Sequence, residues 1–534
     1  MSPLLKLARF GQYAGLIWMM AVLPLANWLM SVGIIIMACS WVLLTASDYL
    51  ERKEPWARWY TFRHTPGALR YGLLYLVFAV SIFWTADLAY GFKDMKTKLP
   101  ILALPVILSG FDPVNGKWIR RLWMTFIASL ILAVTVCLMV YYDAYNAWAV
   151  PLGFRPREVN NFRDISIFIS HIRFSLLLVM GLAVLVCLKP RTWKLRLLFT
   201  LTGAYFLFFL WVIESVTAFA IISVLAGAWL MWQMVRTKRM ALKAILIALP
   251  VIVVAGTAWW VVDAYQDYYS HEPVTVEQLD THTPYGEAYE HYPEHGQIEN
   301  GQYTMIYLAW GEMAAAWEQR SEIPFEGQDR AGHSIKGTLI RYLTSKGLRK
   351  DRNGLNALTE QDIRNIENGV ASAVLMKHKG IRRRLDRILF EYESFRTGQN
   401  PNGHSVFQRI EFWKAGSGII SNNFWWGVGI GDVKRAFADQ YNAMNSPLDE
   451  VHRLRAHNQW MTVWITSGLS GFLVFVLAWF TLFRRSSHAR TMLFTAFFII
   501  ASLSFVTEDT LESQAGVSFF AFIGSVILFL PKRP

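Results

Sequence analysis

Three stretches of this 534-residue sequence combine side chains and spacing that chemistry could use. His457-Asn458 is followed, after nine residues, by Gly468-Leu-Ser-Gly471. Upstream lie Arg409-Ile-Glu-Phe-Trp413 and then Gly427-Val-Gly-Ile-Gly431 with Asp432. Far earlier, His171-Ile-Arg173-Phe-Ser175 sits inside an apolar stretch, with Arg163 just before it. An imidazole titrates near neutrality and can accept a proton at ordinary pH. A guanidinium stays charged and pairs bidentately with carboxylate or phosphate oxygens. An arginine about eight residues into an apolar span needs an anionic partner, which makes Arg173 a functional candidate.

Each feature also has a plain structural reading. His457-Asn458 on residue type alone suits a helix cap. Arg173 could form an ion pair with Glu214 or Glu508, and Arg409 could be a helix-surface charge. The amides of the Gly427–Gly431 turn could bind phosphate, but a tight turn opening a helix is the simpler expectation. Arg382-Arg-Arg384 with Arg387 suits a solvated face or one resting on lipid headgroups. Glu290-His-Tyr-Pro-Glu-His295, with His271 and His282 nearby, invites a zinc reading. Its spacing is not that of the helical zinc motif, and Pro293 would interrupt a helix. A polar loop without metal is expected there.

The elements that must position these residues are membrane spans. Hydrophobic residues make up 54% of the chain and charged ones only 17%, with a mean hydropathy of +0.28. A soluble domain carries about 25% charged residues, so a water-facing surface of this size could not be clothed. Cys39, Cys137 and Cys187 all fall in apolar runs, which excludes a disulfide framework or a cysteine metal site. Stretches able to cross about 30 Å of hydrocarbon recur at 11–28, 29–46, 71–90, 122–142, 165–188, 197–213, 217–235, 244–262, 459–483, 491–506 and 517–530. A shorter one, 95–110, is interrupted by Pro100 and Pro105.

Basic residues decide the orientation. Arg52 to Arg70, Lys189 to Arg196, Arg236 to Lys243, Arg484 to Arg490 and Lys532-Arg533 share one side if 95–110 also crosses. The expectation is an all-α polytopic protein of about twelve transmembrane helices, both termini cytoplasmic. Lys93, Lys96 and Lys98 then fall outside, a mild violation. Residues 1–262 hold nine helices, 263–457 a mostly helical loop domain on the outer face, and 458–534 the last three. Within the loop, 263–329 is strongly acidic, with Arg320 its only Lys or Arg, and 330–457 is strongly basic. Periodicity predicts helices at 304–319, 334–345, 360–397 and 405–421, the third capped by Thr359-x-x-Asp362.

The stretch from His457-Asn458 to Gly468-x-x-Gly471 resembles the His-Asn-x9-Gly-x-x-Gly signature of the O-antigen ligase and polymerase family of bacterial membrane glycosyltransferases. Arg409-x-x-x-Trp413 with Gly427-Val-Gly-Ile-Gly431, and His171-Ile-Arg173, resemble further stretches of that family. The segment 340–351 is similar to its Bacteroidetes branch. One departure is Glu214-Ser-Val-Thr217, which lacks the arginine of the corresponding Ser-Arg-x-Gly.

The resemblance implies a metal- and cofactor-independent, inverting transfer of a glycan from undecaprenyl pyrophosphate to an acceptor hydroxyl on the periplasmic face. The acceptor of a ligase would be lipid A-core. A polysaccharide polymerase or protein O-oligosaccharyltransferase would share the motifs. In this reading His457 is the catalytic base. Arg173, Arg163, Arg409, His171 and Asn458 bind substrate, and nucleic acid is not a partner. A transporter is the rival class, disfavoured by the large loop and by the lack of a two-fold repeat of broken helices.

Overall fold

The structure, a computed structural model, describes residues 2–65, 67–157, 164–294, 298–330, 332–396, 401–485 and 491–530. Helices dominate. Among the described residues the single sheet is a pair of two-residue strands, Ile298–Glu299 and Gln302–Tyr303. The chain divides into two compact units. One comprises Met1–Trp229 with Gln408–Pro534, the other Leu230–Phe407.

Among the described residues six helices are long and apolar enough to cross a membrane: Asn27–Glu51, Gly116–Tyr141, Trp193–Val212, Val216–Arg236, Met240–Tyr269 and Gln459–Leu482. The pair Ala57–His64 and Ala68–Trp84 makes a seventh if counted as one bent span. Shorter apolar helices run over His171–Cys187, Met492–Thr507 and Gln514–Phe529. The protein is therefore an all-α, polytopic integral membrane protein, as its composition requires.

Several boundaries differ from the apolar pattern. The 95–110 stretch is covered by two helices, Leu88–Lys98 and Pro100–Ser109. Pro100 lacks the N–H an interior position would use, and it opens the second helix instead. The 165–188 stretch is helical only from His171, so Arg173 lies in the first turn rather than deep in a span. The preceding residues are apolar yet non-helical.

The core of the first unit gathers large side chains from these helices, among them Tyr71, Phe126, Phe174, Phe206, Phe475 and Trp479. Trp479 stacks on Phe498 at 4.6 Å between centroids and donates its indole N–H to Ser502 at 3.0 Å. In the second unit, Trp317, Leu339, Tyr342, Leu343, Ile363 and Ile366 form a separate core. Thr359 and Asp362 make the expected capping box on Glu360–Glu367. The predicted 360–397 helix is instead three, Glu360–Glu367, Val374–Lys377 and Gly380–Arg396; Gly369 (φ 81°) follows the end of the first with a left-handed backbone, and an extended His378 ends the second. The 304–319 helix starts only at Trp310, because Leu308 is taken into backbone bridges with Glu290 and Lys350.

The other features of this unit are structural. Arg382 pairs with Asp386 at 3.2 Å, and Arg384 donates to Ser405 at 2.6 Å, so this basic run is knitted into its surroundings rather than simply solvated. His291 accepts the Tyr307 N–H at 3.1 Å, while Glu290 accepts from Trp310 and Tyr292. Among the described residues no group of three or more potential ligands is arranged to hold a metal ion. His295 lies outside the described residues.

Candidate functional site

His457 stands immediately before the Gln459–Arg485 helix, with a backbone φ of 45°. A non-glycine residue there is strained, and such strain concentrates at functional positions. What holds it is Asp509. Its carboxylate accepts the backbone N–H groups of His457 and Asn458, each at 3.1 Å, and the Thr462 hydroxyl at 2.7 Å. Asn458 in turn caps the helix, accepting the Met461 N–H at 3.2 Å. The plain capping reading and the functional one are thus both satisfied, by neighbouring residues.

The imidazole itself faces Glu508. His457 Nδ1 lies 3.6 Å from Glu508 Oε2, a little beyond a hydrogen bond, and the ring rests near Phe412 at 5.7 Å between centroids. Arg409 Nη2 donates to Glu508 Oε1 and to the Thr507 carbonyl, both at 3.2 Å. Trp413 donates its indole N–H to the Ala456 carbonyl at 3.0 Å. Arg409 and Trp413, four residues apart on the Phe407–Asn422 helix, share one face. The Arg-x-x-x-Trp spacing therefore lets one helix grip both the carboxylate facing His457 and the backbone before it.

Burial alone would raise the pKa of Glu508. The facing imidazole, then the guanidinium groups of Arg409 and Arg173, outweigh this and hold it below the usual carboxylate range. Arg173 thus acts on the same carboxylate. Its Nε is buried and makes no hydrogen bond among the described residues. His171 opens the same helix, two residues before Arg173. Arg163 lies outside the described residues.

Behind this layer is a set of charges that sequence reasoning missed. Glu512 accepts from Lys98 Nζ and Arg455 Nη1, each at 2.7 Å. Lys98, fully buried, also pairs with Asp94 at 2.7 Å, and Arg455 donates to the Tyr90 hydroxyl at 2.6 Å. Gln459 accepts the Leu511 N–H at 2.7 Å. These bonds fix the 508–512 connector against the segment that carries His457. Burial would push Glu512 up, but the two cations hold it far below normal. Asp509, by contrast, is raised by burial and by Glu512. The signal available in the sequence was Glu508-Asp509-x-x-Glu512, a concentrated acidic run between two apolar stretches. The buried pairing neutralises Lys98, one of the three lysines at odds with the charge rule in the expected orientation.

The glycine motifs are explained by close backbone approach. Gly468 (φ 66°, ψ −174°) breaks the Gln459–Arg485 helix at a conformation nearly exclusive to glycine. A Cβ there would meet the Trp425 carbonyl oxygen at 2.2 Å, and one at Gly427 would meet that of Ile465 at 2.5 Å. The turn's amides are already used. Val428 donates to Ile465 O at 2.8 Å, Gly429 to Thr466 O at 3.0 Å, and Gly431 to Thr85 Oγ1 at 2.8 Å. The turn thus docks on the kink and opens the Val433–Ala443 helix; these three amides are not offered to phosphate.

Residues 369–476 match the family model described as O-antigen ligase. This stretch of the chain is similar to an O-antigen ligase domain. No curated protein matches the chain. The matched stretch includes Arg409, Trp413, the Gly427–Gly431 turn, His457, Asn458, Gly468 and Gly471. Arg173, Lys98, Glu508, Asp509 and Glu512 lie outside the matched stretch. The fold brings these five to it from both ends of the chain.

Proposed function

We propose that the protein transfers a glycan from undecaprenyl pyrophosphate to an acceptor hydroxyl on the periplasmic face of the inner membrane, with lipid A-core as the acceptor. The observation that carries this reading is the convergence of His457, Arg409 and Arg173 on Glu508 within and beside the O-antigen ligase domain. A base that needs orienting and cations that need an anion meet at one carboxylate.

His457 accepts the proton of the acceptor hydroxyl as that oxygen bonds to the anomeric carbon. The bond from that carbon to the pyrophosphate oxygen breaks, and its electron pair leaves with the lipid pyrophosphate. Attack opposite the leaving group inverts the anomeric centre. Glu508, ionised by its surroundings, favours the tautomer with a proton on Nδ1, leaving Nε2 as the acceptor. Arg173 and Arg409 carry two positive charges against one Glu508 carboxylate, an excess that suits a pyrophosphate in which negative charge develops. Asn458, and His171 beside Arg173, complete the substrate-binding set, with Arg163 assigned on sequence alone. The donor is already activated, so no nucleotide is consumed and no metal is required.

The test is transfer by the purified protein from undecaprenyl-pyrophosphate-linked glycan to lipid A-core, with and without EDTA. Glycosylated lipid A-core, formed equally with EDTA, supports the reading. Polymerised donor without any product on lipid A-core would make the protein a polymerase, and no transfer at all would favour a transporter.

A further inference from the structure

We propose that the turn 424–427 inserts into the lipid interface as an aromatic anchor, so that part of the segment assigned to the periplasmic loop is in contact with membrane. The argument starts from depth. The Gln459–Arg485 helix ends on the basic pair Arg484-Arg485. A span needs about 20 residues to cross the hydrocarbon. Counting back from the basic pair places the opposite boundary near Trp464, in the interfacial zone that tryptophan favours. Gly468 therefore lies at or inside that boundary, about 14 Å along the helix from Gln459.

The turn is tied to this depth by its backbone. Leu469 donates its N–H to the Phe424 carbonyl at 2.8 Å, and Ser470 Oγ donates to the Trp425 carbonyl at 3.2 Å. Trp464 donates its indole N–H to the Phe424 carbonyl at 3.2 Å. With these bonds and the two glycine contacts in place, the turn cannot stand off in water.

Its side chains are those of a lipid interface. Trp425 and Trp426 are 64% and 67% exposed, and Phe83, on a different segment, is 86% exposed. The neighbouring Trp84 meets Trp426 edge-on at 6.2 Å, so two segments present aromatic rings at one level. Exposed large apolar side chains in a contiguous patch mark an interaction surface. At this depth the partner is the interfacial zone of the bilayer, where one end of an indole is wet and the other apolar. Because the same Phe407–Asn422 helix runs into this turn and carries Arg409, the anchor sets the height of the Arg409–Glu508–His457 group relative to the membrane.

The inference does not depend on the transfer chemistry and is tested without it. Full-length protein carrying Trp425→Cys or Trp426→Cys, with Cys39, Cys137 and Cys187 replaced by alanine, is nitroxide-labelled in phosphatidylethanolamine–phosphatidylglycerol nanodiscs. Collisions with oxygen should exceed those with a water-soluble nickel chelate, and a label at the exposed Asp439 should show the reverse. A water-like ratio at 425 and 426 overturns the proposal, as does protection from both colliders, which would mean packing against protein. Should the labelled variants not fold, hydroxyl-radical footprinting of the unmodified protein in the same nanodiscs decides. Trp425 and Trp426 should be protected, and oxidation equal to that of the exposed Tyr285 would contradict lipid contact.

Discussion

His457 Nδ1 faces Glu508 Oε2 at 3.6 Å, and this contact joins two ends of the site that lie fifty-one residues apart in sequence. A carboxylate behind an imidazole does two things in acyl-transfer sites. It selects the tautomer, and it stabilises the imidazolium formed when the base takes a proton. Glu508 is fitted for this because neighbouring cations keep it ionised.

Glu508→Gln should accordingly reduce transfer while leaving insertion intact, and its effect on stability should depend on pH. The folded-state pKa of Glu508 lies below its unfolded value, so its ion pairing stabilises the protein fully above the unfolded carboxyl value of about 4.3. That contribution is lost as pH falls through the lower folded value. The melting temperature of the wild type should exceed that of Glu508→Gln at pH 7, and the gap should close in strongly acidic buffer. A gap that stays constant down to pH 3 would mean the carboxylate is held by something other than charge.

Arg173→Lys keeps the charge and loses the planar fork. Transfer should fall on the order of a hundredfold, the scale seen when one donor to developing charge is removed. Expression and membrane insertion should remain near normal. Full activity in Arg173→Lys, with Arg173→Ala merely lowering expression, would make this arginine structural.

Gly468→Ala should destabilise the protein by roughly 1–3 kcal/mol from its backbone conformation alone, and further through contact with the Trp425 carbonyl at 2.2 Å. Gly227→Ala is the control, since a Cβ there meets nothing within 4 Å and helix propensity favours alanine. Melting of the two purified variants in detergent checks the ranking, and equal melting would refute the clamp.

A reporter active only in the periplasm, fused after Glu299, should be active, because the strongly basic short loops then all lie in the cytoplasm. Activity from a cytoplasmic reporter at the same place would overturn the orientation and with it the outward-facing site.

What could be read from the sequence was whatever a local pattern carries. His457, Asn458, Arg409 and the glycines stand out because their spacing along one chain segment repeats a known signature, and for the glycines the fold supplies a reason in the Gly427–Gly468 contact. Thr359 and Asp362 were found because a capping box is entirely local. Asp509, Glu512, Arg455 and Lys98 were not, since each matters only through partners brought together by folding, in one case 414 residues away. Arg173 was placed too deep because apolarity reports burial rather than helix, and the residues before His171 are apolar without being helical. The Gly427–Gly431 amides offered a phosphate site on paper, but three of them are already donating to Ile465, Thr466 and Thr85.

The measurement that bears most directly on the central claim is glycan transfer by purified His457→Ala at saturating donor and acceptor, with donor binding and melting temperature recorded on the same sample. Loss of general-base assistance should lower turnover by about a hundred- to ten-thousand-fold, with donor binding and melting close to wild type. A well-folded His457→Ala protein that binds donor and turns over at near the wild-type rate would contradict the assignment of His457 as the base.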